Sequence, residues 1–510
     1  KALATKSLLE KATNDRWRLH EVVRQWAWVQ PDRSTGKAMT RQELLLKRRD
    51  AYFMGWLRDV HGRLAGPEEP QALARIDMES ANLREAWQSA ARHANLAQLE
   101  AAAPAWFDYL ECRSFITEGI DAADIWLATA LRDTTRDATA APLYYLGLFQ
   151  RFGARTAEAL NTMDAALSAV PADAERLTAQ VQAAKAFLLL LLGQLGEAKK
   201  SADAALVVAE KTKDAALQAS ACRVLGLALM QSGGREEGRE LQRRALDLAR
   251  SVGRPSLVAA AHNNLALAEN HLGNYASAEA GYENALAFWR EIQATANIGR
   301  GMHNLGVVAT RQGRHEEALT RYRAALAMLR KAGDRNLIAL NLMSTGDALL
   351  RLNRAGEAHE TAEQALDMAE RDGHMLPALD ARIVMAQADI VLEKFGEAAR
   401  QLRIVLDAAA RHGFSNVLAD AVVSSARLLA KVDPASHPDA QRWARSIGAM
   451  VDVSLTIRRD ADLLAAEIGD DRTGSTAPGK APVPAKKPAR LADLAKQADG
   501  RLAKLKLVQK

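Results

Sequence analysis

Cysteine and aromatic residues are scarce in this sequence. Its 510 residues include only two cysteines, Cys112 and Cys222, too few for a disulfide framework or a zinc site built from cysteines. Aromatic residues make up 5% of the chain and hydrophobic residues 48%, so a core must be built mainly from Ala and Leu. We therefore expect an all-α fold in a reducing, cytoplasmic compartment.

Long apolar runs and catalytic motifs are also missing. The longest apolar run, residues 186–192, is far shorter than the ~20 residues that a membrane span needs. The sequence has no HExxH zinc motif, no GxSxG nucleophile motif and no paired cysteines. We expect no membrane span, no metal site and no catalytic residues, so this chain by itself is not expected to be an enzyme.

The positive charge is concentrated at one end. The formal net charge is +6, but residues 471–510 hold ten Lys or Arg and three Asp, which leaves the preceding 470 residues at −1. The body of the chain therefore gives no electrostatic reason to bind nucleic acid. The tail, residues 471–510, is rich in Ala, Pro and Lys and is expected to be disordered. Its last twenty residues admit two interpretations, a basic amphipathic helix for a partner or membrane surface, or a solvated charged terminus.

A repeat of 40 residues is the dominant pattern. The segment NNLALAENHLGNYASAEAGYENAL, from Asn263, is followed by HNLGVVATRQGRHEEALTRYRAAL, from His303, with matching glycines and tyrosines 40 positions apart. Each unit has two stretches of apolar residues at helical spacing on either side of a Gly, which predicts two amphipathic helices and a tight turn. A fixed period of this size is typical of a solenoid.

The same register extends over seven units within residues 138–432. A small residue on each first helix marks it, and these are Gly147, Ala186, Gly226, Ala266, Gly306, Gly346 and Ala386. An eighth first helix passes through Ala426, and residues 433–470 are predicted to form C-terminal capping helices. We expect one superhelix in which each repeat contacts only its neighbours.

The repeats resemble tetratricopeptide (TPR) repeats, although that family's usual period is about 34 residues. The family's leucine-glycine pair, turn glycine, small residues and aromatic correspond to Leu305, Gly306, Gly313, Ala318, Tyr322 and Ala325. The extended period resembles that of kinesin light chains and bacterial signalling ATPases. This resemblance implies a concave groove that binds a protein or a peptide.

The N-terminal residues indicate a second element. Residues 1–30 are predicted to form a strand, a turn, a strand and a helix, which cannot bury a core alone. They resemble the end of the winged-helix domain of bacterial STAND-type, NB-ARC-like ATPases, with Leu19-His20-Glu21 in place of that family's Met-His-Asp motif. The resemblance implies that His20 contacts ADP in a longer parent protein, with an upstream nucleotide-binding domain that uses ATP and ADP. The alternative is an ordinary surface histidine. The chain also begins with Lys1 in mid-pattern, as expected for part of such a protein, and residues 39–135 are interpreted as a helical connector.

The groove of such a solenoid is lined by positions three and two residues before each small residue, and by the end of the first helix. In the central repeats these positions are polar, and the core positions are already filled by Leu, Ala and Gly, so we expect the polar residues to be free to bind. The candidate groove residues are Arg223, Asn263, Asn264, Asn270, Arg300, His303, Asn304 and Arg311. The alternative is a solvated polar groove without a ligand.

Three functions remain open at this point. The leading hypothesis is the ligand-sensing, protein-binding domain of a STAND-type ATPase in signal transduction or transcription regulation. The second is a free-standing TPR adaptor that scaffolds protein complexes. The third is part of an effector whose active domain lies elsewhere in the parent protein.

Overall fold

The fold is all-α, as predicted, with one small β-hairpin. The computed structural model describes residues 9–11, 17–19, 41–132, 136–152, 155–232, 234–371, 375–412, 414–450, 453, 455–470 and 490–505. Strands β1 (Leu9–Lys11) and β2 (Trp17–Leu19) pair antiparallel, with Leu9 opposite Leu19. The predicted strand pair is therefore present. The predicted helix after Leu19, and His20 itself, lie outside the described residues.

Four helices form the segment interpreted as a connector. They are α1 (Arg41–Leu64), α2 (Glu69–Arg92), α3 (Leu96–Arg113) and α4 (Ile116–Ala130). Their core is aromatic: the ring of Trp87 packs edge-to-face against Phe107 at 5.6 Å and against Trp126 at 5.9 Å between ring centroids. Trp87 and Trp126 are fully buried, so these tryptophans stabilise the helix packing and do not form a binding surface.

Seven helix pairs follow the connector. They are α5 (Ala140–Phe152) with α6 (Thr156–Ala169), α7 (Glu175–Leu191) with α8 (Leu195–Thr212), α9 (Ala215–Gln231) with α10 (Arg235–Val252), α11 (Pro255–His271) with α12 (Tyr275–Glu291), α13 (Thr295–Arg311) with α14 (His315–Ala332), α15 (Arg335–Arg351) with α16 (Ala355–Arg371), and α17 (Met375–Val391) with α18 (Phe395–His412). The eighth first helix is α19 (Ser415–Val432), and α20 (His437–Gly448), α21 (Leu455–Asp470) and α22 (Leu491–Lys504) complete the described chain.

Small residues let the two helices of a repeat cross closely. A Cβ atom added at Gly306 would lie 2.5 Å from the Cε1 atom of Tyr322, so the tyrosine ring occupies the space that the glycine leaves. The hydroxyl of Tyr322 also hydrogen-bonds the hydroxyl of Thr310 at 3.0 Å. Gly313, with a φ of +80°, makes the left-handed turn between α13 and α14. The small residue predicted at Gly306, the aromatic at Tyr322 and the turn at Gly313 have these roles in the structure.

The expectation that repeats contact only their neighbours is wrong. Arg254 Nε donates to Glu69 Oε1 at 2.9 Å, across 185 residues of sequence. Asn336 Nδ2 donates to the carbonyl oxygen of Arg151 at 3.1 Å, again across 185 residues. Asn336 lies in the sixth repeat and Arg151 in the first, five repeats apart, and Arg254 at the start of the fourth repeat contacts the connector. The rotations of successive repeats add up until the next superhelical turn meets the previous one.

The expectation of a disordered tail is wrong for residues 491–504, which form helix α22. Its apolar residues at helical spacing, including Leu494 and Leu502, are buried against α18 and α19. Asp499 accepts a hydrogen bond of 2.9 Å from Arg403 Nε. The helix forms because it covers the apolar end surface that a last repeat would otherwise expose. Residues 471–489 and 506–510 lie outside the described residues.

Candidate functional site

The candidate site is the inner surface of the superhelix, formed by the first helices of the repeats and called here the lumen. From α5 onward, each first helix packs directly against the next first helix, so these helices form the inner row. The predicted groove residues all lie on α9, α11 and α13. Four of them are buried, namely Asn263, Asn264, Asn270 and His303, and four are half-buried, namely Arg223, Arg300, Asn304 and Arg311.

Amide side chains link the first helices to one another. Asn304 Nδ2 donates to Asn263 Oδ1 at 2.8 Å, and Asn263 Nδ2 donates to Asn264 Oδ1 at 3.3 Å. Arg311 similarly donates through Nη1 to the carbonyl oxygen of Asn270 at 2.9 Å. These polar residues therefore have a structural role, contrary to the sequence-based expectation that they are free to bind.

His303 belongs to the same network. Its Nδ1 lies 3.3 Å from Asn341 Nδ2 of the next first helix. Burial, with a smaller contribution from Arg300, lowers the pKa of His303 to about 4. A neutral ring at pH 7 accepts the hydrogen bond from Asn341 through Nδ1. His303 therefore acts as a hydrogen-bonded core histidine at neutral pH.

Arg223 differs from the other two predicted arginines because the described residues offer its guanidinium no hydrogen-bond acceptor, whereas Arg300 and Arg311 each have one. Among the described residues, no carboxylate lies within ion-pair distance of its guanidinium. Burial lowers the pKa of Arg223 to about 10, and repulsion from Arg151 and Arg300 adds to the effect. Arg151 is in the first repeat and Arg300 in the fifth, so the three charges act on one another across the lumen. An unpaired, desolvated guanidinium has a strong preference for an anionic partner.

The other two arginines of this group, Arg300 and Arg151, each have a side-chain partner. Arg300 Nη1 donates to Asn297 Oδ1 at 3.0 Å, which leaves its charge without a carboxylate at ion-pair distance among the described residues. Arg151 pairs with Glu111 at 3.1 Å and lies over the ring of Phe152, 4.2 Å from its centroid. The sequence analysis missed Arg151. It occupies the position four residues after the small residue, as Asn270 does, so extending the register to the first repeat would have found it.

Two aspartates in the last repeats were also missed. Asp380 and Asp420 stand six residues before the small residues of their first helices, which is the position of Arg300 in the fifth repeat. Burial and then repulsion from Asp420 raise the pKa of Asp380 to about 7. Burial, followed by repulsion from Asp460 and Asp347, raises that of Asp420 to about 7 as well. The sequence signal was available, since the same register position carries all three charged residues.

No group of three or more His, Cys, Asp or Glu side chains is arranged to hold a metal ion in the described part of the chain. Both cysteines are unpaired and buried, and burial raises the pKa of Cys112 to about 12, which keeps it as an unreactive thiol. No helix within the described ranges has both the length and the apolar character needed to cross a membrane.

Comparisons with known proteins concern the repeats. The tetratricopeptide repeat family profile matches residues 257–331 and 297–371. A search of the curated proteins finds no match. Among solved structures, the chain is similar to a Signal Transduction ATPase with Numerous Domains (STAND) with a tetratricopeptide repeat sensor from Pyrococcus horikoshii. The two are 13% identical, the match covers 76% of this chain and 54% of that one, and the TM-score is 0.44.

Two Rap proteins are also similar. One, complexed with competence and sporulation factor, is 14% identical over 68% of this chain and 98% of its own, with a TM-score of 0.43. The other, the Rap conjugation gene regulator of the plasmid pLS20 in complex with the Phr* peptide, is 16% identical over 61% of this chain and 94% of its own, with a TM-score of 0.38. Residues 257–371 thus carry tetratricopeptide repeats, and the chain is an all-α solenoid of this protein-binding architecture.

Proposed function

We propose that this chain is a ligand-sensing solenoid that binds a peptide, or an extended segment of a protein, inside its lumen. The observation that carries the proposal is the half-buried guanidinium of Arg223, which has no ion-pair partner among the described residues and whose pKa is lowered by burial and by the charges of Arg151 and Arg300. A protein gains no stability from such a group, because burying a charge without a partner is unfavourable. A carboxylate from a ligand would supply the missing partner.

The amide network supports an extended peptide as the ligand. Asn304 and Asn263 already hydrogen-bond each other at 2.8 Å, so their side chains are held in place before a ligand arrives. Each amide still has hydrogen-bonding capacity beyond this one bond, since it offers two donors and two acceptor lone pairs. A preorganised row of amides matches the alternating N–H and C=O groups of a peptide backbone.

The regulatory role that we propose is that of the sensor of a STAND-type ATPase in the cytoplasm. The antiparallel strands β1 and β2 and the adjacent Leu19-His20-Glu21 sequence support it, because they resemble the end of a winged-helix domain. In the parent protein, an upstream nucleotide-binding domain would bind ATP and ADP, and His20 would contact the ADP. Ligand binding in the lumen would then shift the switch between its resting and active states.

Affinity selection from a random peptide library tests the binding role. The wild-type chain is compared with Arg223→Ala/Asn264→Ala/Arg300→Ala, which removes lumen side chains. The matched control is Arg243→Ala/Arg250→Ala/Arg290→Ala, which removes three exposed arginines from second helices. We expect the lumen variant to lose at least tenfold in captured peptide and the control to retain it. Undiminished capture by a folded lumen variant would place the binding site elsewhere on the chain.

A further inference from the structure

The charge of the lumen reverses along the superhelix. One register position, six residues before the small residue of each first helix, carries Arg300, Leu340, Asp380 and Asp420 in four consecutive repeats. Leu340 between the charges is exposed by 42%. The lumen therefore presents a basic region, an apolar step and an acidic region in that order.

The basic region has more cations than anions. Arg151, Arg223 and Arg300 act on one another there, and the two carboxylates that influence them are Glu111 and Asp334. Glu111 already pairs with Arg151 at 3.1 Å. Asp334 is buried, and its Oδ1 accepts a hydrogen bond of 3.0 Å from the backbone N–H of Leu337 at the start of α15. Three cations act among two carboxylates, which leaves the region with one excess positive charge.

The acidic region has the opposite excess. Its carboxylates are Asp347, Asp380, Asp420 and Asp460, and the cation held among them is Arg351, which donates to Asp460 through Nη1 at 3.2 Å and Nη2 at 2.6 Å. Arg351 also donates to Asp347 at 3.5 Å, so its charge is shared between these two.

The remaining two carboxylates have no cation bound to them. Asp420 accepts a hydrogen bond of 3.3 Å from the neutral amide of Gln387, and Arg427 acts on it only at longer range. Asp380 has no ion-pair partner among the described residues. Burial raises the pKa of both aspartates to about 7, with added repulsion from Asp420 on Asp380 and from Asp460 and Asp347 on Asp420. A cationic group between them would offset this repulsion.

We propose that the lumen binds a linear peptide in one direction, with a carboxylate between Arg223 and Arg300 and a cationic amine or guanidinium between Asp380 and Asp420. This inference rests on the proposed function and adds to it the chemistry and orientation of the ligand. Leu340 contacts an apolar side chain of the ligand between the two charges. The opposite orientation brings like charges together at both ends and is rejected.

The repeat spacing gives the approximate length of the ligand. Directly packed helices lie about 8–10 Å apart, and the two charged regions are separated by two to three first helices, from α13 to α17 or α19. An extended chain covers about 3.3 Å per residue. A ligand of roughly five to nine residues therefore spans both regions.

The test uses two synthetic libraries of eight-residue peptides, Lys-Xaa6-Glu and its reverse Glu-Xaa6-Lys, where Xaa is any residue except Cys. Each is presented to the immobilised chain at pH 8, and the bound peptides are counted by mass spectrometry. We expect at least tenfold greater recovery of Lys-Xaa6-Glu, because its free amino group adds to the charge of Lys and its free carboxylate adds to the charge of Glu, whereas in Glu-Xaa6-Lys the terminal charges oppose those of the side chains. Versions with an amidated C-terminus or an acetylated N-terminus show whether the terminal charges or the Lys and Glu side chains are bound.

Two double variants assign each end of the peptide. Asp380→Asn/Asp420→Asn should remove the preference for Lys at the first position and keep the preference for Glu at the last. Arg223→Met/Arg300→Met should do the reverse, while Arg243→Ala/Arg250→Ala should change neither. Helical circular dichroism and the melting temperature show that each variant is folded.

The outcomes separate this inference from the proposed function. Equal recovery of the two libraries would overturn the orientation. If binding is still lost in the lumen variant Arg223→Ala/Asn264→Ala/Arg300→Ala, the proposal of peptide binding in the lumen remains intact. A preference for Glu-Xaa6-Lys would also overturn the orientation. Failure of both libraries to bind would overturn this inference. If the lumen variant captures as much of the random library as the wild-type chain, the proposed function is overturned.

Discussion

Arg254, at the start of the fourth repeat, donates through Nε to the carboxylate of Glu69 in the connector at 2.9 Å. The same carboxylate accepts the backbone N–H and the hydroxyl of Ser256, both at 2.7 Å, and its residue is 1% exposed. The connector therefore binds the middle of the solenoid through one buried carboxylate, that of Glu69, which accepts three hydrogen bonds from Arg254 and Ser256. This contact closes one superhelical turn onto the next and fixes the shape of the lumen.

Glu69→Ala is expected to destabilise the closed superhelix. The substitution leaves the buried guanidinium of Arg254 and the N–H of Ser256 without their acceptor, and breaking a buried pair typically costs about 3–5 kcal/mol. Asp108, 3.0 Å from Arg254, offsets part of the loss. Urea unfolding measures the change in the free energy of unfolding. The control is Glu236→Ala, which removes an exposed i,i+3 ion pair to Arg239 and should cost at most about 1 kcal/mol. Equal effects of the two substitutions would contradict the role of Glu69.

Gly306→Ala tests the close crossing of α13 and α14. The added Cβ atom would lie 2.5 Å from the buried ring of Tyr322, so the ring or the helices must shift. Overpacking of this kind typically costs about 1–3 kcal/mol. Gly55→Ala is the matched control, because Gly55 lies within α1 and its added Cβ would meet nothing within 4 Å. That substitution should stabilise the protein by roughly 0.5–1 kcal/mol. A shift of the melting temperature in the same direction for Gly306→Ala and Gly55→Ala would contradict the assigned register.

The two lumen aspartates predict a specific pH dependence. The folded-state pKa of Asp380 and of Asp420 is raised to about 7, above the unfolded value of 3.8. Stability from these groups is therefore fully present below about pH 4 and is lost as pH rises through about 7. Asp380→Asn/Asp420→Asn should raise the melting temperature at pH 8 more than at pH 5. A rise in melting temperature that is independent of pH would show that ionisation of these two carboxylates does not destabilise the fold.

His20→Ala tests the proposed ATPase parent. In the full-length parent, removal of the imidazole is expected to speed ADP release and raise basal activity, because the histidine would contact the bound diphosphate. Release of a fluorescent ADP analogue measures the effect in stopped flow. An ADP release rate equal to that of the wild-type parent would remove His20 from the switch.

The sequence was sufficient to predict features that repeat locally. A small residue stands at the position of Gly306 in all seven repeats, so the pairing of helices, the turn at Gly313 and the position of the inner row could all be read from the period. Features that depend on the whole superhelix could not be predicted from the sequence. The bond from Asn336 in the sixth repeat to Arg151 in the first exists because small rotations accumulate over five repeats, and no local pattern records that sum.

The partner-binding role of the predicted site residues stays a prediction. Arg223 is unpaired, as the groove hypothesis requires, but Asn263 and Asn304 bond each other because adjacent first helices bring buried amides within reach. Asp380 and Asp420 were missed because the search followed the positions three and two residues before the small residue. The charges of the last repeats lie one helical turn earlier, where Arg300 alone had been considered.

The measurement that tests the account most directly is the dissociation constant of a selected peptide for wild type and Arg223→Met. Methionine keeps the aliphatic bulk of the side chain and removes the unpaired charge. The account predicts an equal or higher melting temperature, since a desolvated charge is removed, together with at least tenfold weaker binding, the equivalent of ~1.4 kcal/mol or more. A dissociation constant within twofold of wild type, in a variant that remains folded, would contradict the claim that Arg223 in the lumen binds the ligand.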